Sequence, residues 1–339
     1  MAETFTVGMT RDLMRPDGTP AFEERAFDEL RANPAIRWEW LGDDVTAITP
    51  EIAARYDGLL AGLPLVTAAT VAGQDCRLRI VARNGVGFDS VDVPAMTAKG
   101  IVVTNTPIAV RRPVAVAALT MIFALAGRLL KKNELVRAGR WNDRTAYMGQ
   151  GLTTRTLGVI GAGGIGQELL PLARPFFKQM IAADPYVDRT RVAALGAEIV
   201  PLEQLLRTAD FVVVSCILND ETRHMLDERR LRLMKPTAYL VNMARGPVVD
   251  EAALARVLAS GAIMGAGLDV TEREPIEMTS PLLGMENVII TPHALCWTDE
   301  CFYDIAATAL RSIAEVSLGR RPAHVVNPAV YDVIAGAAR

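Results

Sequence analysis

The sequence predicts an α/β protein built from two doubly wound, parallel-sheet domains, and three observations lead there. Short, nearly continuous apolar runs recur along the whole chain with helical segments between them, the pattern of parallel strands covered on both faces. A glycine-rich turn follows one of these runs in the middle of the chain rather than near its start. The 339 residues, half of them apolar, are enough to bury two cores.

Taken in order, the first series of runs covers residues 4–9, 36–41, 58–63, 78–82 and 101–104. The second covers 157–160, 180–183, 211–214, 238–242, 265–269 and 288–291, giving six expected strands. Between the two series lies the longest apolar stretch, residues 114–127, with Arg111-Arg112-Pro113 before it and Arg128 and Lys131-Lys132 after it. It is too short to span a bilayer and reads as a buried helix with proline near its first turn. A helix apolar on every side needs cover from more than one direction, which points to a domain core plus a subunit interface. A last helix over 298–318 is expected to return to the N-terminal half. The mid-chain cofactor domain is then an insertion, with boundaries at 1–107 plus 296–339 for one domain and 108–295 for the other.

Residues 156–166 read Thr-Leu-Gly-Val-Ile-Gly-Ala-Gly-Gly-Ile-Gly, a G-x-G-x-x-G turn directly after an apolar strand. Each glycine has a task. Gly161 lets the chain turn off the strand, Gly163 lets backbone approach a pyrophosphate, and Gly166 lets the next helix pack on the sheet. Six residues alone are weak evidence, but the next strand ends in Asp184, eighteen residues past Gly166. A carboxylate there accepts bonds from the ribose hydroxyls and repels a 2′-phosphate, which favours NAD over NADP. Arg189 nearby leaves acceptance of NADP open.

Net charge is −3 with both signs interspersed, so neither nucleic acid nor an anionic membrane is an expected partner. Cys76, Cys216, Cys296 and Cys301 form no C-x-x-C pair, and with three histidines they make no zinc pattern. Reduced thiols fit a cytoplasmic location. The N-terminal Met-Ala-Glu-Thr-Phe-Thr-Val-Gly lacks the basic and apolar regions of a secretory signal.

Open α/β sheets bind ligands at the carboxyl ends of their strands, so polar residues there are the candidates. His293 ends a strand where an imidazole can exchange a proton with a substrate oxygen, or can be structural. Arg245 places a two-pronged cation at another strand end, for a ligand carboxylate or for a plain ion pair. Glu274 lies in a loop after a strand, where a solvated surface charge is an equal reading. His224 and His324 sit in polar or tail settings and read as surface or structural residues.

Together these segments resemble the D-isomer-specific 2-hydroxyacid dehydrogenases. The resemblance spans nearly the whole chain: Asn84-Gly-Val-Gly-Phe-Asp-Ser-Val-Asp92, Thr104-Asn-Thr-Pro107, the glycine turn, Val241-Asn-Met-Ala-Arg-Gly-Pro-Val-Val-Asp-Glu251, Gly267-Leu-Asp-Val-Thr-Glu-Arg-Glu-Pro275, Thr291-Pro-His293 and the closing Arg321–Pro328 segment. It implies a Rossmann NAD domain inserted into a flavodoxin-like substrate domain. It also implies hydride transfer between nicotinamide C4 and C2 of a small 2-oxo or 2-hydroxy acid. By resemblance, Arg245 grips the substrate carboxylate and carbonyl, with the backbone N–H groups of Val86 and Gly87 completing the clamp. His293 moves the proton, and Glu274 orients it. Asp269 holds the nicotinamide carboxamide region. The implied cofactor contacts are Gly161, Gly163, Gly164, Ile165, Gly166, Asp184, Met243, Ala244, Arg245, Asp269 and His293.

The chain departs from the family pattern in places. It reads Val114-Ala-Val116 where an acidic third residue is common, and Ser215-Cys-Ile217 where His-x-Pro is common. Trp297 either walls the substrate pocket or packs internally. Arg83, Arg111 and Arg112 read either as solvated charges or as readers of a second anionic group. Glu274 argues against formate dehydrogenase chemistry, which pairs the histidine with glutamine. A homodimer through the 114–130 helix and the 131–149 arm is expected. The alternative to an enzyme is an NAD(H)-sensing binding protein resembling the family's transcriptional corepressors.

Overall fold

The structure, a computed structural model, describes residues 4–337; Met1, Ala2 and Glu3 of the N-terminal segment and the last two residues lie outside that range. The chain divides into two compact units, one formed by residues up to Val110 with those from Trp297 onward, the other by Arg111–Cys296.

The first unit carries β1 (Phe5–Met9), β2 (Ile36–Trp40), β3 (Gly58–Ala61), β4 (Ile80–Arg83) and β5 (Val102–Thr104). They form one parallel sheet in the order β2-β1-β3-β4-β5, the flavodoxin-like arrangement. Strand alternation separates two cores. Phe5, Val7, Met9, Leu60, Ile80 and Ala82 face one side, where Phe302, Ala306, Leu310 and Ile313 of the helix Asp299–Ser317 cover them. Leu59, Ala61, Val81 and Val103 face the other side with Tyr56, Met96 and Ile101. The helix is capped by Thr298, whose hydroxyl accepts from the Cys301 amide, so the expected last helix forms within a residue of its expected bounds.

The C-terminal segment is tied to the edge of this sheet by one buried side chain. Asn327 accepts from the Val103 amide at 2.8 Å and donates to Ile101 O and Thr97 Oγ1 at 2.9 and 3.0 Å. A buried partner left unsatisfied costs about 1–3 kcal/mol, so Asn327→Ala is expected to lose about 2–4 kcal/mol of stability. Thermal unfolding checks this, and a midpoint within a degree of wild type would contradict it.

The second unit holds β6 (Thr156–Ile160), β7 (Gln179–Ala183), β8 (Glu198–Ile199), β9 (Phe211–Val214), β10 (Tyr239–Asn242), β11 (Gly265–Leu268) and β12 (Val288–Ile290). All are parallel, in the order β12-β11-β10-β9-β6-β7-β8. Six strands were expected in this series, and the sheet has seven. The addition is β8, two residues pairing only with β7, too short and too polar to stand out as an apolar run. The order of strands reverses between β6 and β9, which places the glycine turn at the switch point of the sheet.

The long apolar helix runs Arg111–Gly127 and starts three residues before the apolar stretch, taking Pro113 into its first turn. It presses against the sheet so closely that a Cβ on Gly267 of β11 would sit 2.2 Å from Met121 Cγ. Val116 and Phe123 stay exposed on its other side. At Arg128, whose φ is +49°, the chain bends by 55° into the helix Leu129–Arg137. No single helix among the described residues is long and apolar enough to cross a membrane.

Candidate active site

The glycine turn leaves β6 as the residue types require. Gly161 has φ +88°, and a Cβ there would stand 2.5 Å from the Cys216 amide nitrogen. A Cβ on Gly166 would stand 2.3 Å from the Gly161 carbonyl oxygen, so the second turn of backbone closes over the first only without a side chain. The helix Gly164–Ala173 begins with no side-chain cap, and a Cβ on Gly163 would meet nothing within 4 Å. The amides of Gly164, Ile165 and Gly166 thus form an open, positively polarised end, which fits a dinucleotide pyrophosphate. Asp184, at the end of β7, accepts from the Ala162 amide at 2.8 Å and the Tyr186 amide at 2.9 Å, which fixes its carboxylate beside the turn. Arg189 instead donates to Ile199 O at 3.0 Å on the edge strand.

Arg245, Glu274 and His293 follow β10, β11 and β12, three adjacent strands of one sheet. Gly246 brings the first two loops together, since a Cβ there would lie 1.9 Å from Thr271 O and 2.4 Å from the Glu272 amide nitrogen. Glu274 spends its two oxygens separately. One accepts from the Thr271 amide at 3.2 Å, and the other meets His293 Nδ1 at 2.9 Å. A carboxylate can only accept, so Nδ1 carries the proton and Nε2 is left for a ligand. Burial opposes ionisation of Glu274, but the His293 bond and charge, the Thr271 amide and the Arg245 guanidinium outweigh it and hold the carboxyl below its ordinary range.

His293 itself is held in a left-handed conformation, φ +53°. Asp269, buried, supplies the restraint. Its carbonyl accepts from the His293 amide at 2.7 Å, and its Oδ1 accepts from Thr291 Oγ1 at 2.6 Å and from the Ala294 and Leu295 amides at 3.0 Å. Four bonds to one aspartate over-determine a turn that costs a non-glycine residue about 1–3 kcal/mol.

Met243 and Ala244 are buried, with their amides already bonded to Val214 O and Asn242 Oδ1. Their carbonyls are what remain for a cofactor, and Ala244 O already accepts from Arg245 Nη1 at 2.8 Å. In the first unit, Val86 and Gly87 lie in the loop after β4, tied down by Asn105 donating to Val86 O at 2.7 Å and by the Thr106 amide donating to Gly85 O at 3.0 Å. Among the described residues the Val86 and Gly87 amides make no hydrogen bond. Trp297 is 56% exposed and packs edge-on against Phe302, with ring centroids 4.8 Å apart.

The family model "D-isomer specific 2-hydroxyacid dehydrogenase, NAD binding domain" matches residues 119–294, just over half of the chain and the segment holding the glycine turn, Asp184, Arg245, Glu274 and His293. The chain belongs to the D-isomer specific 2-hydroxyacid dehydrogenase family. This dehydrogenase is 36% identical over 322 residues to the glyoxylate reductase of Pyrococcus furiosus, covering 92% of this chain and 91% of the relative. It is 39% identical over 326 residues to the glyoxylate reductase of Thermococcus gammatolerans, covering 93% and 96%. A solved Thermus thermophilus protein superposes with a TM-score of 0.81 at 29% identity, over 95% of this chain and 100% of that one. The dehydrogenase is an NAD-dependent oxidoreductase.

Several residues of the dehydrogenase site carry weight that the linear sequence hid. Ser215, standing where His-x-Pro is common, donates to Gly161 O at 2.6 Å and so holds the glycine turn against β9. Burial beneath that turn pushes the Cys216 thiol up to about 11, away from the reactive thiolate form. Asn242 braces the Arg245 loop by accepting from the Ala244 amide and donating to Arg245 O at 3.0 Å. The only signal for it was a polar residue ending an otherwise apolar strand. His224 meets Glu272 at 2.5 Å, a second His–Glu pair. That pair anchors a loop, since Glu272 also accepts from the Glu251 amide and donates its own amide to Glu251 Oε2.

Proposed function

We propose that the protein reduces small 2-oxo acids, glyoxylate among them, to D-2-hydroxy acids with NADH, with His293 as the proton donor. One observation carries this reading: the 2.9 Å contact of His293 Nδ1 with Glu274, beside Arg245 on adjacent strand ends. The relatives' name, glyoxylate reductase, supports the substrate class. NADH bound at the glycine turn supplies the hydride that goes to substrate C2. The protein's residues do the rest. Arg245 pairs with the substrate carboxylate and carbonyl, fixing the reacting carbon and stabilising charge that develops on oxygen. The His293 Nε2 proton passes to that oxygen, and in oxidation returns to Nε2. Glu274 keeps the imidazole oriented through its contact with Nδ1. The amides of Val86 and Gly87, which make no hydrogen bond among the described residues, and Trp297 are further candidates for substrate binding. Gly161, Gly163, Gly164, Ile165 and Gly166 receive the phosphates, Asp184 the ribose, and Met243, Ala244 and Asp269 the nicotinamide side.

We also propose a homodimer, supported by the exposed apolar residues Val116, Phe123, Leu129, Leu130, Val136 and Trp141 on and after the long helix. The reaction is tested by supplying NADH with pyruvate and determining the configuration of the lactate formed. D-lactate is expected, and L-lactate would overturn the stereochemical assignment.

Glu274 adds a pH prediction whose sign follows from its lowered pKa. A carboxyl depressed in the folded state contributes stability above its unfolded value and loses it as pH falls through the folded one. The stability gap between wild type and Glu274→Gln is therefore expected at about pH 7 and to shrink towards about pH 3. Denaturant unfolding at the two pH values checks it; a gap that widens in acid would contradict it.

A further inference from the structure

Arg111 is the first residue of the long helix and lies against the glycine turn. A Cβ on Gly164 would stand 2.7 Å from Arg111 Nε and 3.3 Å from its Cδ and Cζ. The guanidinium stem therefore occupies the space that a side chain at position 164 would take. Its Nε is shielded from solvent, and among the described residues it has no hydrogen-bond partner. Its neighbour contrasts with it. Arg112 is paired with Glu168 at 2.5 Å and 63% exposed. A half-buried cation that makes no ion pair among the described residues, set beside a helix start that is itself electropositive, is an unfavourable arrangement unless an anion joins it.

We propose that Arg111 is a cofactor-binding residue that donates to the pyrophosphate of NAD(H), reaching the phosphate site from the 111–127 helix through the gap left by Gly164. This rests on the glycine turn being the dinucleotide site. The turn alone offers amides with partial charges. Arg111 adds a full charge with paired donors, matched to phosphate oxygens. It also explains why the fourth position of Gly161-Ala-Gly-Gly-Ile-Gly166 is glycine in this chain: any side chain there would displace the arginine.

The test is binding, read by fluorescence titration of the ligand-free protein with NADH and by displacement with ADP-ribose and with adenosine. A charge-assisted bond corresponds to a change of about 10-fold or more in Kd. Arg111→Gln is expected to weaken NADH and ADP-ribose by at least that factor while leaving adenosine unchanged. Gly164→Ala is expected to act in the same direction, and Arg112→Gln to stay within about twofold of wild type. Melting of each ligand-free variant establishes folding, and if Arg111→Gln does not fold, Arg111→Lys is judged by the same criteria. An NADH Kd within twofold of wild type overturns the proposal, as does an equal loss for adenosine. A raised KM for the 2-oxo acid with NADH affinity intact also overturns it, by placing Arg111 on the substrate. Wild-type protein that binds no NADH would instead reject the site itself.

Discussion

His293→Gln is expected to lower kcat for reduction by about 10²–10⁴-fold, the range that a positioned general acid supplies. Glutamine keeps a polar group of similar reach but carries no proton it can give up. NADH affinity is expected to change far less than kcat, because the glycine turn and Asp184 lie at other strand ends of the sheet. Stopped-flow or steady-state loss of reduced cofactor with glyoxylate reads the effect. The sign with pH is fixed by the same role. In the proposed role reduction takes up the proton that His293 delivers and oxidation gives it back, so reduction is expected to fall and oxidation to gain as pH rises. A reductive rate that is flat from acid to alkaline pH would remove His293 as the donor.

Arg245→Lys is expected to cost about 10²–10³-fold in kcat/KM, comparable to deleting one preorganised donor to a developing oxyanion. Lysine preserves the charge, so a role confined to long-range attraction would leave most of the activity. In the proposed clamp the guanidinium fork meets carboxylate and carbonyl together, which a single ammonium does not reproduce. The loop bearing it is rigid. Asn242 and the Gly246 approach to Thr271 fix the backbone on both sides of Arg245. Kinetics over a series of oxo acids separates the readings, since near-normal turnover in the variant would remove Arg245 from the clamp.

Much of this was legible in the chain because parallel strands buried on both faces must be apolar throughout. Phe211–Val214 and Thr156–Ile160 announce themselves by composition. The glycine turn is legible because only glycine tolerates φ +88° with a backbone nitrogen 2.5 Å from where Cβ would be. Glu198–Ile199 was not, because two residues hold no period. Contacts formed between distant segments left no local mark either. The seryl bond from Ser215 to Gly161 crosses 54 residues, and the bonds from Ala294 and Leu295 to Asp269 cross 25 and 26. Arg111 shows the same limit from the side of charge. At a helix start, an arginine held beside a phosphate site and one solvated in water have the same sequence, and only its place against Gly164 separates them.

The proposed reaction is a 2-oxo acid reduction whose proton comes from His293. The most direct test mixes the purified protein with NADH and glyoxylate, hydroxypyruvate, pyruvate, phenylpyruvate, 2-oxoglutarate or phosphohydroxypyruvate, and follows loss of reduced cofactor in wild type and His293→Gln together. Turnover of at least one small 2-oxo acid by wild type is expected, with equimolar 2-hydroxy acid formed, and its near-complete loss in the variant. Tight NADH binding without turnover of any of the six, or turnover undiminished by the substitution, would contradict it.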